Sequence, residues 1–331
     1  VAFAGINSGG TRFTATEEFN KSANVITASA WASAPTLPIA VNSIGGLGTQ
    51  TAALGYGGYV GPTVASVFSY NGTSWSPAPS LGTARYGAGG NGSTTAGLVY
   101  GGSGLPVPSA PVRAETEEFN GSSWSEQNNL STMNTARYNH GGFGTQTAGV
   151  AVTGASPRVG PAVSAPNSTE EYDGSSWTAG GGLNTTRFKT SCAGQAALTA
   201  GVAFGGYNNP PAAVTNATEE YNGTAWTSVN NMLTNLAWHA AQSSGTQTDS
   251  LIFGGYGSTP FSVPTLNTNS FAYDGTNFST RAALGTPRGA LGGAGASTTS
   301  ALAIGGNPNT NKTEEFTGET TALNVKTLTQ S

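Results

Sequence analysis

The sequence has little charge, no basic cluster and no long apolar run. Asp, Glu, Lys and Arg make up 8% of the 331 residues, against roughly 25% in an ordinary soluble domain, so solubility must depend on hydroxyls, amides and exposed backbone. A net charge of −4 without basic clusters argues against nucleic acid or an anionic membrane as the main partner. Because the chain has no run of about 18 apolar residues, we expect no insertion into a membrane.

The chain also has a single cysteine, so it cannot form an intrachain disulfide. We expect Cys192 to be a small buried apolar residue, and the thiol content does not indicate the redox compartment. The opening segment VAFAGI lacks the charged flank and the length of a secretion signal. It resembles an apolar strand whose first residues are missing, and we therefore expect the chain to be a processed product or a segment of a longer polypeptide.

A segment that combines an acidic pair with an aromatic residue recurs along the chain, as in TEEFNGSSW at 116–124. The aromatic anchors of seven copies are Phe19, Tyr70, Phe119, Tyr172, Tyr221, Tyr273 and Phe316. They are separated by 51, 49, 53, 49, 52 and 43 residues, and an apolar run that ends in glycine recurs seven times in the same phase. A regular period of this length indicates tandem structural repeats.

Each period predicts four short strands, A to D in chain order. Strand A follows an arginine in most copies, strand B is the apolar run that ends in glycine, strand C holds the acidic pair, and strand D begins at a tryptophan or its substitute. Strands A and B are joined by GTQT in three copies, and strands C and D by Asn-Gly or Asp-Gly. These dipeptides are strong signals of tight hairpins. No segment shows convincing helical periodicity.

Four antiparallel strands per unit, with a glycine pair after strand B and an aromatic residue at the start of strand D, resemble the kelch repeat of β-propellers. The resemblance and the seven copies imply an all-β fold, a seven-bladed β-propeller of four-stranded antiparallel blades, formed by residues 1–331 as a single domain. The first repeat begins at strand B, so we expect the first blade to lack its innermost strand in this chain. Residues upstream of Val1, the C-terminal TLTQS tail or another chain would then supply that strand, since unpaired backbone at the axis is costly.

The repeated acidic pairs are predicted to be structural rather than catalytic. Adjacent residues of a strand point to opposite faces, so two neighbouring glutamates cannot converge on one substrate atom. We expect one glutamate of each pair to be an inter-strand or inter-blade partner of a repeated arginine, and its neighbour to be solvated or hydrogen-bonded. The repeated arginines are Arg85, Arg137, Arg187 and Arg288.

The remaining residues predict no catalytic, metal or cofactor site. His140 and His239 occupy early strand A positions of different repeats, and neither has a carboxylate or cysteine at metal-ligand spacing. The acidic residues outside the pairs lie in different repeats, so no general acid–base pair is apparent. Glycine-rich segments such as GGLGTQ lack the helix and the Gly-Lys-Ser/Thr of a phosphate-binding loop.

We expect ligands to bind one face of the ring. In an up-and-down blade the A–B and C–D turns lie on one face, and the B–C loops and D–A connections lie on the other. The B–C intervals vary, running 12, 10, 15, 16, 13, 16 and 8 residues from the last strand B glycine to the acidic position, and such loops commonly carry recognition. The candidate ligand-binding residues there are Tyr59, Arg113, Arg158, Tyr207, Tyr256 and Phe261. The alternative is that any of these side chains merely packs down to anchor its loop.

The sequence of the repeat, with its GTQTA turns and TEEYNG segments, is similar to the propeller repeats in tail-fibre and other virion-surface proteins of aquatic bacteriophages. That similarity implies a non-catalytic binding or display module, on a virion surface or extracellular, that attaches to a host cell-surface glycan or outer-membrane component. Other virion proteins, an upstream part of the same polypeptide and further copies of the chain are the other expected partners. The alternatives are a secreted bacterial adhesin or carbohydrate-binding propeller, and an enzyme whose site the sequence conceals.

Overall fold

The structure is all-β and has the architecture of a β-propeller. The computed structural model describes residues 9–10, 23–104, 111–126, 132–156, 167–194, 198–208, 213–242, 244–257 and 265–324. Within these ranges six four-stranded antiparallel sheets form the blades, and no helix is long and apolar enough to cross a membrane. A two-stranded ribbon pairs Ala23–Thr27 with Thr320–Asn324.

Each blade is a meander of strands A to D in which strand A lies at the axis. The innermost strands of neighbouring blades contact each other around the ring, including those of the last and first blades. From strand A outward, the blades consist of Gly45–Thr49, Ala52–Tyr56, Val67–Tyr70 and Trp75–Ala78 (blade 1); Gly89–Gly92, Gly97–Tyr100, Thr116–Phe119 and Trp124–Glu126 (blade 2); Gly141–Gly144, Gly149–Val152, Thr169–Tyr172 and Trp177–Gly180 (blade 3); Ser191–Ala193, Gly201–Asn208, Ala213–Tyr221 and Trp226–Ser228 (blade 4); Ala240–Ala241, Ser250–Phe253, Ser270–Tyr273 and Phe278–Arg281 (blade 5); and Gly292–Ser297, Ser300–Ile304, Thr313–Thr317 and Ala30–Ala34 (blade 6).

Local turn chemistry explains the predicted C–D hairpins, which are confirmed. In blade 1 the side-chain Oδ1 of Asn71 accepts hydrogen bonds from the backbone N–H of Thr73 at 3.0 Å and of Ser74 at 2.8 Å. Gly72 has a φ of +87°, a conformation that favours glycine. The same arrangement recurs at Asn120, Asp173, Asn222 and Asp274.

The predicted number of blades is wrong, because the structure has six and not seven. The strand Ala30–Ala34 pairs with Thr313–Thr317, so the two ends of the described chain share one blade. Trp31 lies opposite Phe316 in the register in which Trp124 lies opposite Phe119. Trp31 therefore serves the last repeat, which has no tryptophan of its own. Other parts of the first copy, including VAFAG and Phe19, lie outside the described residues.

The expectation that the first blade lacks its innermost strand stays a prediction, because the VAFAG strand of the first repeat lies outside the described residues, whereas each of the six described blades has its own strand A. Blade 1 has its strand A at Gly45–Thr49, and the blade assembled from both ends is blade 6, in which the N-terminal segment supplies the outermost strand. Pairing of this strand with strand C closes the ring without leaving the axial edge of any described blade incomplete. The TLTQS tail lies outside the described residues.

Six residues that precede the A strands form a closed circle of backbone hydrogen bonds, which we call the axial ring. Each N–H donates to the carbonyl of the equivalent residue in the preceding blade, in the order Ser43 to Ala290 (2.7 Å), Ala290 to Trp238 (2.8 Å), Trp238 to Lys189 (3.1 Å), Lys189 to Asn139 (2.8 Å), Asn139 to Gly87 (2.7 Å) and Gly87 to Ser43 (3.3 Å). All six residues have a positive φ, between 50° and 60°. Five of the six are not glycine, so the ring holds side chains in a left-handed conformation that they rarely adopt.

Two further contacts join neighbouring blades at the level of strands C and D. The second glutamate of an acidic pair accepts a hydrogen bond from the tyrosine of the next blade, as from Tyr172 to Glu118 at 2.8 Å. The indole N–H that opens strand D donates to a hydroxyl in strand C of the preceding blade, as from Trp177 to Thr116 at 2.9 Å. The remaining pairs of these two kinds are Tyr221–Glu171, Tyr273–Glu220, Tyr70–Glu315, Trp226–Thr169, Trp75–Thr313 and Trp31–Ser270.

Where one member of such a contact is missing, its counterpart has changed or is left without a partner. Blades 1 and 5 have Ser69 and Ala272 in place of the second glutamate, and the following blades have Phe119 and Phe316 in place of tyrosine. Blade 1 has a valine at the position of Thr116, and the indole N–H of Trp124 has no hydrogen-bond partner among the described residues. These repeats are therefore adapted to their neighbours in the ring.

This pattern predicts unequal costs for two otherwise identical substitutions. Trp177→Phe removes a buried hydrogen bond and leaves Thr116 unpaired, whereas Trp124→Phe removes an N–H that has no partner. We expect Trp177→Phe to lower the free energy of unfolding by about 1–2 kcal/mol more than Trp124→Phe does. Urea unfolding followed by circular dichroism measures the difference. Equal losses in the two variants would show that the inter-blade indole bond contributes nothing.

Candidate functional site

In the four acidic pairs that the structure describes, the first glutamate lies in a buried ion pair inside its own blade, which confirms the structural prediction for them; Glu17 and Glu18 lie outside the described residues. In blade 2, Arg85 Nη2 is 2.5 Å from Glu117 Oε1, and both side chains are almost fully buried. Arg85 Nη1 also donates to the carbonyl oxygens of Gly101 and Glu115, both at 3.0 Å. Glu117 Oε2 accepts from the backbone N–H of Gly82 at 2.6 Å. The pair thus ties together strand B, strand C and the connection that enters strand A.

The same ion pair recurs in three more blades, as Arg137–Glu170, Arg187–Glu219 and Arg288–Glu314. Burial lowers the pKa of Arg85, and the carboxylate of Glu117 opposes that effect. Since the first glutamate is bonded to arginine and backbone N–H groups and the second to a tyrosine of the next blade, the acidic pairs are structural parts of the ring.

Blades 1 and 5 replace the whole ion pair with apolar side chains. Val41 and Phe68 occupy the arginine and glutamate positions in blade 1, and Leu236 and Phe271 occupy them in blade 5. Each couple belongs to one buried hydrophobic cluster. Buried ion pairs in proteins are commonly replaceable by packed apolar residues, because the attraction between the charges barely exceeds their desolvation cost. The same two buried positions are therefore filled by an ion pair in four blades and by two apolar side chains in blades 1 and 5.

One cavity lies at the axis, on the face that carries the B–C loops and D–A connections, which we call the loop face. It has a volume of about 150 Å³ and is lined by the axial ring and by the first residues of the A strands. The axial ring is lopsided, because Asn139, Lys189 and Trp238 are large while Ser43, Gly87 and Ala290 are small or lack a side chain. A second cavity, of about 440 Å³, lies among the A–B turns on the opposite face, which we call the turn face.

Two arcs of aromatic side chains run through residues that adjoin the axial ring on the loop face, and Trp238 is the member that lines the cavity. The ring centroids of Tyr59 and Tyr86 are 6.3 Å apart, and those of Tyr86 and Tyr138 are 6.1 Å apart. The second arc runs from Phe188 to Tyr207 at 5.4 Å, to Trp238 at 6.3 Å and to Tyr256 at 5.4 Å. Tyr59, Tyr86 and Trp238 are half-buried, whereas the other rings are buried.

Lys189 lies within the second aromatic arc. Its ammonium nitrogen is 3.1 Å from the ring centroid of Trp238, 4.7 Å from that of Phe188 and 5.4 Å from that of Tyr207, and the residue is only 8% exposed. Burial lowers the pKa of Lys189 well below its usual value. The aromatic faces act in the opposite direction, because their electron-rich surfaces stabilise a cation.

The histidines and the cysteine are buried beside the same cavity. Burial lowers the pKa of both His140 and His239 to about 3, with a smaller effect of nearby arginines, so both imidazoles are neutral at pH 7. His140 Nε2 accepts a hydrogen bond from the backbone N–H of Gly89 at 3.2 Å, and neither ring nitrogen of His239 has a hydrogen-bond partner among the described residues. Burial raises the pKa of Cys192 to about 12, in line with its predicted role as a packed apolar residue.

The predicted ligand-binding residues have different environments. Tyr59 is half-buried at the mouth of the axis, and Arg113 is half-buried in a B–C loop, 3.5 Å from a carboxylate oxygen of Glu115. Tyr207 and Tyr256 are 2% and 5% exposed and pack within the aromatic arcs, which corresponds to the alternative role as loop anchors. Arg158 and Phe261 lie outside the described residues. Ligand binding by these residues stays a prediction.

Sequence reasoning did not single out Tyr86, Lys189 or Trp238. The segments ARYGAGG and TRFKTSCAG contain Tyr86 and Lys189 one and two positions after the repeated arginine. The sequence pattern predicts the entry to strand A at these positions, but it does not indicate that Lys189 and Trp238 line the axis. The position of Lys189 differs in every repeat, and is Ser43, Gly87, Asn139, Lys189, Trp238 or Ala290; this variation is the signal that the sequence offered.

No protein-family model matches the sequence, and no curated protein matches it. Within the ranges that the structure describes, no three side chains of His, Cys, Asp or Glu are grouped so that they could hold a metal ion.

Because some blades have a buried ion pair and others have two apolar side chains at the same positions, we expect the effects of substitutions at Arg137 and Glu170 on stability to be strongly coupled. Glu170→Phe leaves an unpaired buried guanidinium and should lower the free energy of unfolding by about 3–5 kcal/mol. Adding Arg137→Leu, as in blade 5, should restore at least about 2 kcal/mol of that loss. Denaturant unfolding of the two single variants and the double variant gives the coupling energy.

Arg113→Leu is the control, because the Arg113–Glu115 pair is partly exposed and should change stability by less than about 1 kcal/mol. Additive effects of the two substitutions in blade 3, without recovery in the double variant, would contradict the structural role of the ion pair.

Proposed function

We propose that the protein is a non-catalytic binding module whose loop face attaches to a glycan on a host cell surface. The observation that carries this proposal is the axial cavity on the loop face, whose lining includes the half-buried Trp238. The half-buried rings of Tyr59 and Tyr86 lie in residues that adjoin the axial ring on the same face. Ligand sites are typically concave and mostly apolar, with a few polar groups that fix the orientation of the ligand. Sugar rings match such a surface, because they present both C–H faces and hydroxyl groups.

Polar groups at the same mouth support this assignment. Asn42 lies beside Tyr59, its side-chain N–H donates to the side-chain oxygen of Asn309, and Ser43 Oγ donates to Asn42 Oδ1 at 2.9 Å. Asn307 donates to the hydroxyl of Tyr256. Amides offer both donors and acceptors, so the rim supplies the hydrogen-bonding groups that sugar hydroxyls require.

The burial and hydrogen bonding of the glutamates and histidines support a non-catalytic role. The repeated glutamates described above are bonded to arginines, backbone N–H groups or tyrosines, and both histidines are buried with a pKa of about 3. General acid–base catalysis is most effective with a pKa near the working pH and with access to the substrate. Neither the paired glutamates nor the histidines meet these requirements.

We place this module on a virus particle, as part of a tail fibre or another virion-surface protein, on the strength of the repeat resemblance described above. The low charge and few lysines are compatible with a particle surface. Mass spectrometry of purified virions tests this location. Recovery of the protein from the secreted fraction or the surface of a bacterium, and not from particles, would favour the bacterial adhesin instead.

The proposal predicts that binding depends on the loop face. Tyr59→Ala combined with Tyr86→Ala should weaken binding on a glycan array by about tenfold or more, because aromatic side chains often dominate recognition energy. Thr147→Ala, at an exposed position in the GTQT turn of the turn face, is the matched control and should bind like the parent protein. Unchanged binding by the double tyrosine variant, or a loss in the Thr147 variant, would place the site elsewhere.

A further inference from the structure

The axial cavity has a basic character that is unusual for this acidic protein. Lys189 is the one Lys or Arg side chain among the described residues that line it, and no Asp or Glu lines it. The two histidines of the lining are neutral at pH 7 for the reason given above. An anion in the cavity would oppose the effect of burial on the pKa of Lys189 and stabilise its ammonium form. The cavity therefore favours a negatively charged ligand, although the protein as a whole has a net charge of −4.

The position of the Lys189 ammonium is defined by its aromatic neighbours. It lies against the indole of Trp238 and near the rings of Phe188 and Tyr207, at the distances given above. The backbone of Lys189 is held by two bonds of the axial ring, to Asn139 and from Trp238. A side chain that is ordered before binding loses little further conformational entropy when a ligand arrives.

The small residues of the axial ring lie across the axis from this cation, since the two ring neighbours of Lys189 are the large Asn139 and Trp238. Gly87 has no side chain, and a Cβ at that position would lie 2.4 Å from Oδ1 of Asn139, so the site admits no larger residue without rearrangement. Ser43 and Ala290 contribute only small side chains on the same side of the ring. The cavity thus has a large, cationic and aromatic side and a small side, which suits a ligand that is charged at one end.

We propose that the axial cavity binds the carboxylate of an acidic sugar residue, such as a hexuronic acid, with the Lys189 ammonium as its charge partner. This inference rests on the proposed function, because it names the class of glycan that the loop face recognises. One ammonium group matches a singly charged carboxylate, whereas phosphate sites usually gather several donors or an arginine fork. The half-buried rings at the rim then contact the sugars that follow the acidic residue.

The experiment is calorimetric titration of the whole protein with four probes. These are the methyl glycoside of glucuronic acid, the corresponding glucuronamide, methyl glucoside and acetate. We expect the glucuronide to bind about tenfold or more tightly than the uncharged amide of the same shape, a difference that calorimetry resolves. Acetate should bind more weakly than the glucuronide, because it lacks the sugar ring that fills the cavity.

The variants separate charge from folding. Lys189→Met keeps the length and apolar character of the side chain and should abolish the preference for glucuronide over glucuronamide. Lys189→Arg should retain that preference. Lys312→Met is the matched control, because Lys312 is exposed outside the cavity, and it should behave like the parent. Thermal melting checks that each variant is folded, and the ranking of the four probes by the parent protein decides the matter even if Lys189→Met does not fold.

Equal binding of the glucuronide and the amide by the parent protein would overturn the inference. So would a preference that survives Lys189→Met, or acetate binding as tightly as the glucuronide, which would indicate a site for free anions. If neutral glycans on an array bind in a manner that depends on Tyr86 but not on Lys189, the acidic-sugar assignment fails and the proposed function stands. If no glycan binds the loop face, the proposed function itself fails.

Discussion

The axial ring is the constraint on which the rest of the propeller depends. Six peptide groups, one before each strand A, donate and accept around a closed circle, so each blade is fixed at its inner end to both neighbours. The left-handed backbone of Ser43, Asn139, Lys189, Trp238 and Ala290 costs of order 1 kcal/mol or more at each residue. Closure offsets this cost, because every ring N–H and carbonyl is paired within the circle. The conserved geometry at these positions leaves the choice of side chain free.

This freedom explains how a structural circle also forms a candidate binding site. The backbone of the ring is the same in all six blades, while its side chains range from glycine to tryptophan. The outer contacts between blades, from tyrosine to glutamate and from indole to hydroxyl, hold the blades together without using residues at the axis. The buried Arg–Glu pairs do the same within a blade. The axial residues can therefore vary for recognition while the framework remains intact.

The strands, the hairpins and the role of the acidic pairs could be predicted from the sequence, because each depends on a local pattern or on a pair within one repeat. The number of blades could not, because the outer strand of blade 6 comes from the opposite end of the chain. A count of the aromatic anchors treats the first and last copies as two separate blades. Two features of the sequence indicate that these copies share one blade: Trp31 lies further from Phe19 than the other tryptophans do from their anchors, and the last repeat has no tryptophan. The candidate axial site could not be predicted, because the six residues of the axial ring come from six different repeats and lie far apart in the sequence. Loop length predicted that ligands bind the loop face, which stays a prediction, and two of the candidates chosen on that ground, Tyr207 and Tyr256, are buried.

The central claim is that six blades close through the axial ring, with blade 6 completed by the N-terminal strand. Amide hydrogen exchange measured by NMR on the whole protein tests it most directly. Ser43 and Ala290 lie where blade 6 meets its neighbours. The account predicts that their amides exchange as slowly as those of Asn139 and Lys189, because all four should exchange only when the whole protein unfolds. The amide of Trp31 is not part of the ring and serves as a comparison. Fast exchange at Ser43 alongside slow exchange at Asn139 and Lys189 would show that the circle is open between blades 6 and 1, and would contradict the account.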